Sequence, residues 1–123
     1  MSTLANPARA GASPDALSAV EFQDELRRIG RLDLRIAIVD PVGAALEQIQ
    51  RHPVYTQSRL LTRLLSALTY SGGEFRRAEI SALDSPTRAL VIALMDDCSA
   101  GTTPKPAWIA AVSAANAAEL AAS

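Results

Sequence analysis

The residue types best suited to nucleophilic catalysis in this chain of 123 residues are a single cysteine, Cys98, and a single histidine, His52. A cysteine nucleophile needs a positioned base and a lowered thiol pKa. His52 lies in an Arg-His-Pro step at a predicted helix end, and neither residue belongs to a recognisable catalytic motif. The pattern favours a partly buried thiol without a chemical role, and it predicts that the protein is not an enzyme.

Metal and phosphate sites are the next chemistry to consider. Asp96 and Asp97 are adjacent acids, but no His, Cys or acid stands at the spacing of a known metal site. Solvated acids at a helix end explain them better. Gly72 and Gly73 are two adjacent glycines after a predicted helix, and the other residues of a phosphate-binding loop are missing. The sequence therefore predicts no metal and no cofactor.

Arginines supply a different chemistry, the binding of phosphates and base edges. Arg59 and Arg63 lie one helical turn apart, and Arg76 and Arg77 are adjacent. A small DNA-binding regulator that uses these four residues is the alternative function. The formal net charge of −1 creates no field that would attract nucleic acid, so this alternative is the weaker one.

Surplus apolar surface favours protein binding instead. Apolar residues make up 49% of the chain and the mean hydropathy is above zero. A small helical domain buries so much apolar surface incompletely. Tyr, Trp and Arg are the types that anchor interfaces. We expect a protein partner or a second copy of the chain, and a candidate interaction surface made of Tyr55, Arg59, Arg63, Tyr70, Arg76, Arg77 and Trp108.

Neither a membrane nor an oxidising compartment is expected. The longest apolar run, Ala89–Met95, is far shorter than the roughly 20 residues of a bilayer span. The N-terminal stretch lacks the apolar segment of a signal peptide, and a lone cysteine forms no internal disulfide. These features predict a cytoplasmic protein.

The elements that must position these residues are helices. Residues 1–12 are predicted to be a flexible tail, and residues 13–123 one helical domain. Ser13, Pro14 and Asp15 have the order of a helix start, and Gly30 has the character of a helix stop.

The heptapeptide Leu34–Asp40 has two interpretations. Its alternation fits a strand, whereas a longer window fits a helix whose apolar stripe contains Leu32, Ile36, Val39, Gly43 and Leu46. The helix accounts for more residues and is preferred. Pro41 must then bend this helix or restart it with Asp40 as the N-cap.

Four further helices are predicted. One runs from Thr56 to the Gly72-Gly73 step, and a short one from Glu74 to Leu83 turns Phe75, Ala78 and Ala82 inward. Another starts at Ser85-Pro86 and ends at Gly101, and the last runs from Pro106 to Ala121 with Trp108, Val112 and Ala115 on one face. The expected fold is all-α, a compact orthogonal bundle of five or six short helices.

Part of the chain also resembles a known family. The matching stretches lie between about residues 45 and 95: Ala45-Leu46-Glu47, Gln57-Ser58-Arg59, Leu64-Leu65-Ser66-Ala67, Gly72-Gly73 with Phe75, and Leu83-Asp84. They resemble a family of small, uncharacterised helical proteins of proteobacterial genomic islands and integrating conjugative elements. The chain departs from the family pattern at Leu68, Thr69 and Arg76. The resemblance implies a helical accessory protein encoded on mobile DNA, with no activity or cofactor attached.

Overall fold

A computed structural model describes residues 16–30 and 38–122. Within these ranges the chain forms six helices and one short antiparallel sheet. The elements, in chain order, are β1 (Ala16–Ser18), α1 (Ala19–Gly30), α2 (Pro41–Arg51), α3 (Thr56–Tyr70), β2 (Glu74–Arg76), α4 (Arg77–Ser81), α5 (Ser85–Ala100) and α6 (Lys105–Ala121). The prediction of an all-α bundle is confirmed. The predicted flexible tail, residues 1–12, lies outside the described residues.

The core lies where five helices meet. α5 packs against α1, α2 and α3, and α6 packs against α2 and α3. Leu61, Leu64 and Leu65 of α3 are fully buried beside Val91 and Leu94 of α5. Apolar residues of α5 are buried around most of its circumference. None of the helices in the described ranges is both long and apolar enough to cross a bilayer.

The N-terminal boundary of the first helix differs from the prediction. Ala16–Ser18 is extended and pairs with β2, so that Leu17 lies opposite Phe75. The helix begins only at Ala19, where Ser18 and Glu21 form a reciprocal capping box. The Glu21 amide donates to Ser18 Oγ at 3.2 Å, and the Ser18 amide donates to Glu21 Oε1 at 3.0 Å. A helix that starts at Ser13 is therefore wrong.

Between the two alternatives at Pro41, the structure has the restart. Asp40 is the N-cap of α2, and its Oδ1 accepts from the Gly43 amide at 3.1 Å. Ile38 and Val39 lie in neither helix nor strand, and the residues from Leu32 to Ala37 lie outside the described ranges. The predicted apolar stripe is wrong on both sides of this break. Val39 before it is 98% exposed, and after it the buried apolar residues of α2 include Val42, Ala45 and Ile49, whereas Gly43 and Leu46 are only half-buried.

Helix α3 has nearly the predicted bounds and is deeply enclosed. Three of its polar residues, Ser58, Thr62 and Thr69, are buried together with its leucines. Thr62 Oγ1 donates to the Ser58 carbonyl at 3.1 Å, and Thr69 Oγ1 to the Leu65 carbonyl at 2.6 Å. These bonds within the helix satisfy the hydroxyls, so the polar side of α3 can be covered as well.

The segment after the two glycines is only partly helical. Phe75 is buried as predicted, but it lies in strand β2 and stacks on Phe22 with ring centroids 4.3 Å apart. The short helix α4 then buries Ile80, while Ala78 and Ala82 are exposed. Their predicted inward position is therefore wrong, because the helix starts three residues later than expected.

Both ends of α5 are closed by aspartates. Asp84 caps its start by accepting from the Thr87 amide at 2.9 Å. At its end Asp97 is buried, whereas solvation was predicted. Its two carboxylate oxygens accept from the Thr103 amide at 3.0 Å and the Thr103 hydroxyl at 2.8 Å. Asp97 thus holds the turn that leads into α6.

One buried hydroxyl gives a stability prediction. Among the residues that the structure describes, Ser58 Oγ has no hydrogen-bond partner, and its residue is fully buried. Ser58→Ala should raise the free energy of unfolding by about 1 kcal/mol, because the uncompensated burial of the hydroxyl is removed. Urea unfolding followed by circular dichroism measures it.

Ser66→Ala in the same helix is the control, because Ser66 is only half-buried. It reports the gain in helix propensity alone, about 0.5 kcal/mol. An equal gain in both variants, or a loss in Ser58→Ala, would contradict the prediction.

Candidate interaction surfaces

Arg63 is the centre of an ion-paired cluster on one side of the bundle. Its guanidinium forms a bidentate salt bridge with Glu79, in which Nη2 lies 3.1 Å from Oε1 and Nη1 contacts Oε2. Nη2 also donates to the Glu74 carbonyl at 2.9 Å, and the guanidinium lies 5.2 Å from the centroid of the Phe75 ring. Arg63 therefore fixes β2 and α4 onto α3 and is not a free cation.

The same contacts shift two pKa values. The hydrogen bonds from Arg63 hold the pKa of Glu79 below its usual value, and the bond from the Arg76 backbone amide, 2.8 Å long, acts in the same direction. Glu79 in return raises the pKa of Arg63. Both groups are therefore charged at neutral pH, and the carboxylate gains stability from its surroundings.

The four arginines of the alternative function share a region but do not form a free basic patch. Arg63 is paired with Glu79, and Arg77 Nη1 lies 3.1 Å from Glu25 Oε2. Arg28, and to a lesser extent Arg77, lower the pKa of Glu25. Arg59 and Arg76 have exposed side chains. Two of the four positive charges are thus offset by carboxylates.

The two tyrosines of the candidate surface lie at opposite ends of α3. Tyr55 is exposed on the turn before the helix and stacks on His52, with ring centroids 4.4 Å apart. It borders an open cleft of about 500 Å³ that is lined mainly by α2 and the start of α5, together with Ile38, His52 and Gln57. Tyr70 is exposed at the end of α3, where Lys105 Nζ lies 5.8 Å from its ring centroid and also donates to the Thr69 carbonyl. These two side chains do not belong to one continuous site.

Trp108 is not a surface residue. It is only 4% exposed, and it lies with Ala111, Val112 and Ala115 on the buried face of α6. The predicted shared face of Trp108, Val112 and Ala115 is confirmed, but the same burial makes the assignment of Trp108 to an interaction surface wrong. The largest side chain of α6, that of Trp108, therefore packs inside the bundle.

The opposite side of α6 is the surface that sequence reasoning missed. No charged residue occurs from Pro106 to Ala118, and the side of the helix that faces away from the bundle exposes Ile109 (43%) and Leu120 (76%). We call this side the uncharged face; its exposed residues are Pro106, Ala107, Ile109, Ala110, Ser113, Asn116, Ala117, Leu120 and Ala121. The absence of charge over this stretch was the available signal, but the alanines alone do not show which side is buried.

The residues considered for catalysis have structural contacts. Cys98 is half-buried and its Sγ donates to the Leu68 carbonyl at 3.6 Å, whereas His52 stacks on Tyr55. Asp96 pairs with Arg27 at 2.8 Å, and Asp97 holds Thr103. In the described ranges no group of three or more His, Cys, Asp or Glu side chains is arranged to hold a metal ion.

Comparison of the chain with models of protein families, with curated proteins and with solved structures finds no match. The resemblance to proteins of genomic islands and integrating conjugative elements therefore stays a prediction.

The Arg63–Glu79 pair gives a pH prediction. A carboxyl group whose pKa is lower in the folded protein adds stability above its unfolded pKa and loses it as the pH falls through the folded value. Glu79→Gln should therefore cost about 1 kcal/mol of unfolding free energy near pH 7, discounted for the partial exposure of Arg63. As the pH falls through the folded pKa of Glu79, the variant and the parent should converge, because both side chains become neutral.

Urea unfolding near pH 7 and at successively lower pH values measures this difference. Glu47→Gln is the matched control, because the pair of Glu47 with Arg51 is exposed at both ends and should contribute little. A cost in Glu79→Gln that does not change with pH would show that the charge of Glu79 is not what stabilises the cluster.

Proposed function

We propose that this protein acts by binding another protein surface through the uncharged face of α6, and not by catalysis. The observation that carries the proposal is the exposure of Ile109 and Leu120 on a helix side without charge. The other side of the same helix already covers the core through Trp108. Leu120 therefore contributes little to the bundle, and Ile109 leaves 43% of its surface exposed.

Apolar side chains that line one exposed helix side are typical of interaction sites. Single exposed apolar residues elsewhere, such as Val54 (52%), need no such explanation. On α6 the exposed Ile109 and Leu120 share the face with small residues, Ala110, Ser113 and Ala117. These small residues allow a partner helix to approach closely. The face thus combines apolar anchors with a surface that a second helix can follow.

The DNA-binding alternative has less support. Carboxylates offset Arg63 and Arg77, and the formal net charge is −1. We expect no binding of random duplex DNA at about 50 mM salt, measured by fluorescence anisotropy, since few cations remain to displace counterions. Binding that weakens steeply at about 200 mM salt and is lost in the Arg59→Ala/Arg76→Ala variant would overturn the proposal in favour of the regulator.

An accessory role on mobile bacterial DNA, with the protein in the cytoplasm, completes the proposal. The resemblance over residues 45–95 alone supports the accessory role.

The test of the proposed function is site-specific photo-cross-linking in the native cells. A photoreactive amino acid replaces Ser113 on the uncharged face, or Asp24, which is exposed on α1 away from α6. The substitution at Ser113 should give a discrete cross-linked product, and the one at Asp24 should give none. Equal labelling from both positions, or none from Ser113, would contradict binding through α6.

A further inference from the structure

We infer that the uncharged face of α6 binds the same face of a second copy of this chain, with the two helices antiparallel. The inference rests on the proposed function and names its partner. It is argued from the order of exposed residues along α6, from the absence of charge, and from the extent of the face.

The spacing of the exposed residues reads the same from either end. Ile109, Ser113, Asn116 and Leu120 follow one another at intervals of four, three and four residues, and all four are exposed. A two-fold axis midway between Ser113 and Asn116 therefore places Ile109 of each copy opposite Leu120 of the other. The same axis places Ser113 opposite Asn116, where a hydroxyl and an amide can hydrogen-bond.

The intervals also suit the packing of two helices along their length. Alternating steps of three and four residues keep side chains on a seam that faces a partner helix. A two-fold contact is isologous, so the same surface must complement itself. In the antiparallel pair the apolar residues Ile109 and Leu120 contact each other at both ends of the seam. The polar residues Ser113 and Asn116 contact each other in its middle. A parallel arrangement would instead set Ile109 against Ile109 and Leu120 against Leu120.

The absence of charge on this face also favours a second copy of the chain as the partner. A partner surface with Lys, Arg, Asp or Glu would lose hydration of those charges against a face that offers no counterion from Pro106 to Ala118. The face of a second copy brings no charge and meets this condition without any further assumption. The exposed alanines, Ala110 and Ala117, let the two backbones come close.

The extent of the face sets the expected strength. The 17 residues of α6 span about 25 Å, so a contact between two such helices is small beside the standard specific interface of about 1,600 Å². We therefore expect a dimer with a dissociation constant in the micromolar range, and one that single charges on the seam can break.

The test uses charges at the two ends of the seam. Sedimentation equilibrium of the full chain between about 1 and 100 µM should show a monomer–dimer equilibrium. Ile109→Glu and Leu120→Lys should each weaken the dimer at least about tenfold, since each buries a charge against an apolar side chain. The double variant should return to within about threefold of the parent, because each Glu then faces a Lys of the other copy.

Val54→Glu and Val20→Lys are the matched controls. They place the same charges on exposed apolar residues outside α6 and should leave the equilibrium unchanged. Thermal unfolding by circular dichroism of every variant establishes that the bundle itself is retained. Recovery in the double variant is the decisive result, since a parallel pair would bring like charges together and remain dissociated.

The outcomes separate this inference from the proposed function. A strict monomer at about 100 µM, or a dimer that the α6 variants do not affect, overturns the self-pairing. If the Ser113 cross-link then contains a different protein, the proposed function stands with a different partner. If neither a dimer nor a cross-link is found, both fail. A cross-linked product of twice the chain mass, together with recovery in the double variant, supports both.

Discussion

The structure depends on the enclosure of α3 from several sides. Its leucines face the core, and on its polar side the buried Thr62 and Thr69 hydroxyls bond to carbonyls of the same helix. Such bonds let a helix bury polar side chains without needing a partner element for each of them. Helices α2, α5 and α6 pack around α3 as a result. The hydroxyl of Ser58, which has no such partner, is the one place in the described chain where this enclosure leaves a buried side-chain polar atom unsatisfied.

Enclosure of α3 determines which surfaces are left for binding. α6 turns Trp108 and Val112 toward the bundle, so its remaining circumference faces solvent with few large side chains and no charge between Lys105 and Glu119. On the other side, Arg63 is occupied in holding β2 and α4 and contributes little free positive potential. The surface chemistry thus favours an apolar contact over an electrostatic one, and this follows from how the interior is built.

Sequence reasoning predicted the helices whose ends carry strong signals. α3, α5 and α6 have nearly the predicted bounds, because glycine or proline steps mark their limits. It failed where a local signal competed with a tertiary one. Ser13-Pro14-Asp15 resembles a helix start, but the extended residues 16–18 pair with β2, and the capping box at Ser18 and Glu21 marks the true start. Three-residue strands cannot be found by alternation, since the pattern needs at least four to eight residues. Of the candidate surface, the sequence supplied the right residue types but not their burial. An Ala-rich helix has almost no amphipathic contrast, so Trp108 could be assigned to either side.

The pairing of β1 with β2 links two segments that lie far apart in the chain, Leu17 opposite Phe75. Closing so long a loop costs entropy, and a ladder of three residues on each strand returns little of it. The pairing of β1 with β2 must therefore depend on side-chain contacts. These are the stacked rings of Phe22 and Phe75 and the ion pairs of Arg63 and Arg77. The ladder should therefore be among the last parts to form during folding and among the first to open in the native state. Its amide hydrogens would exchange with solvent well before those of α3.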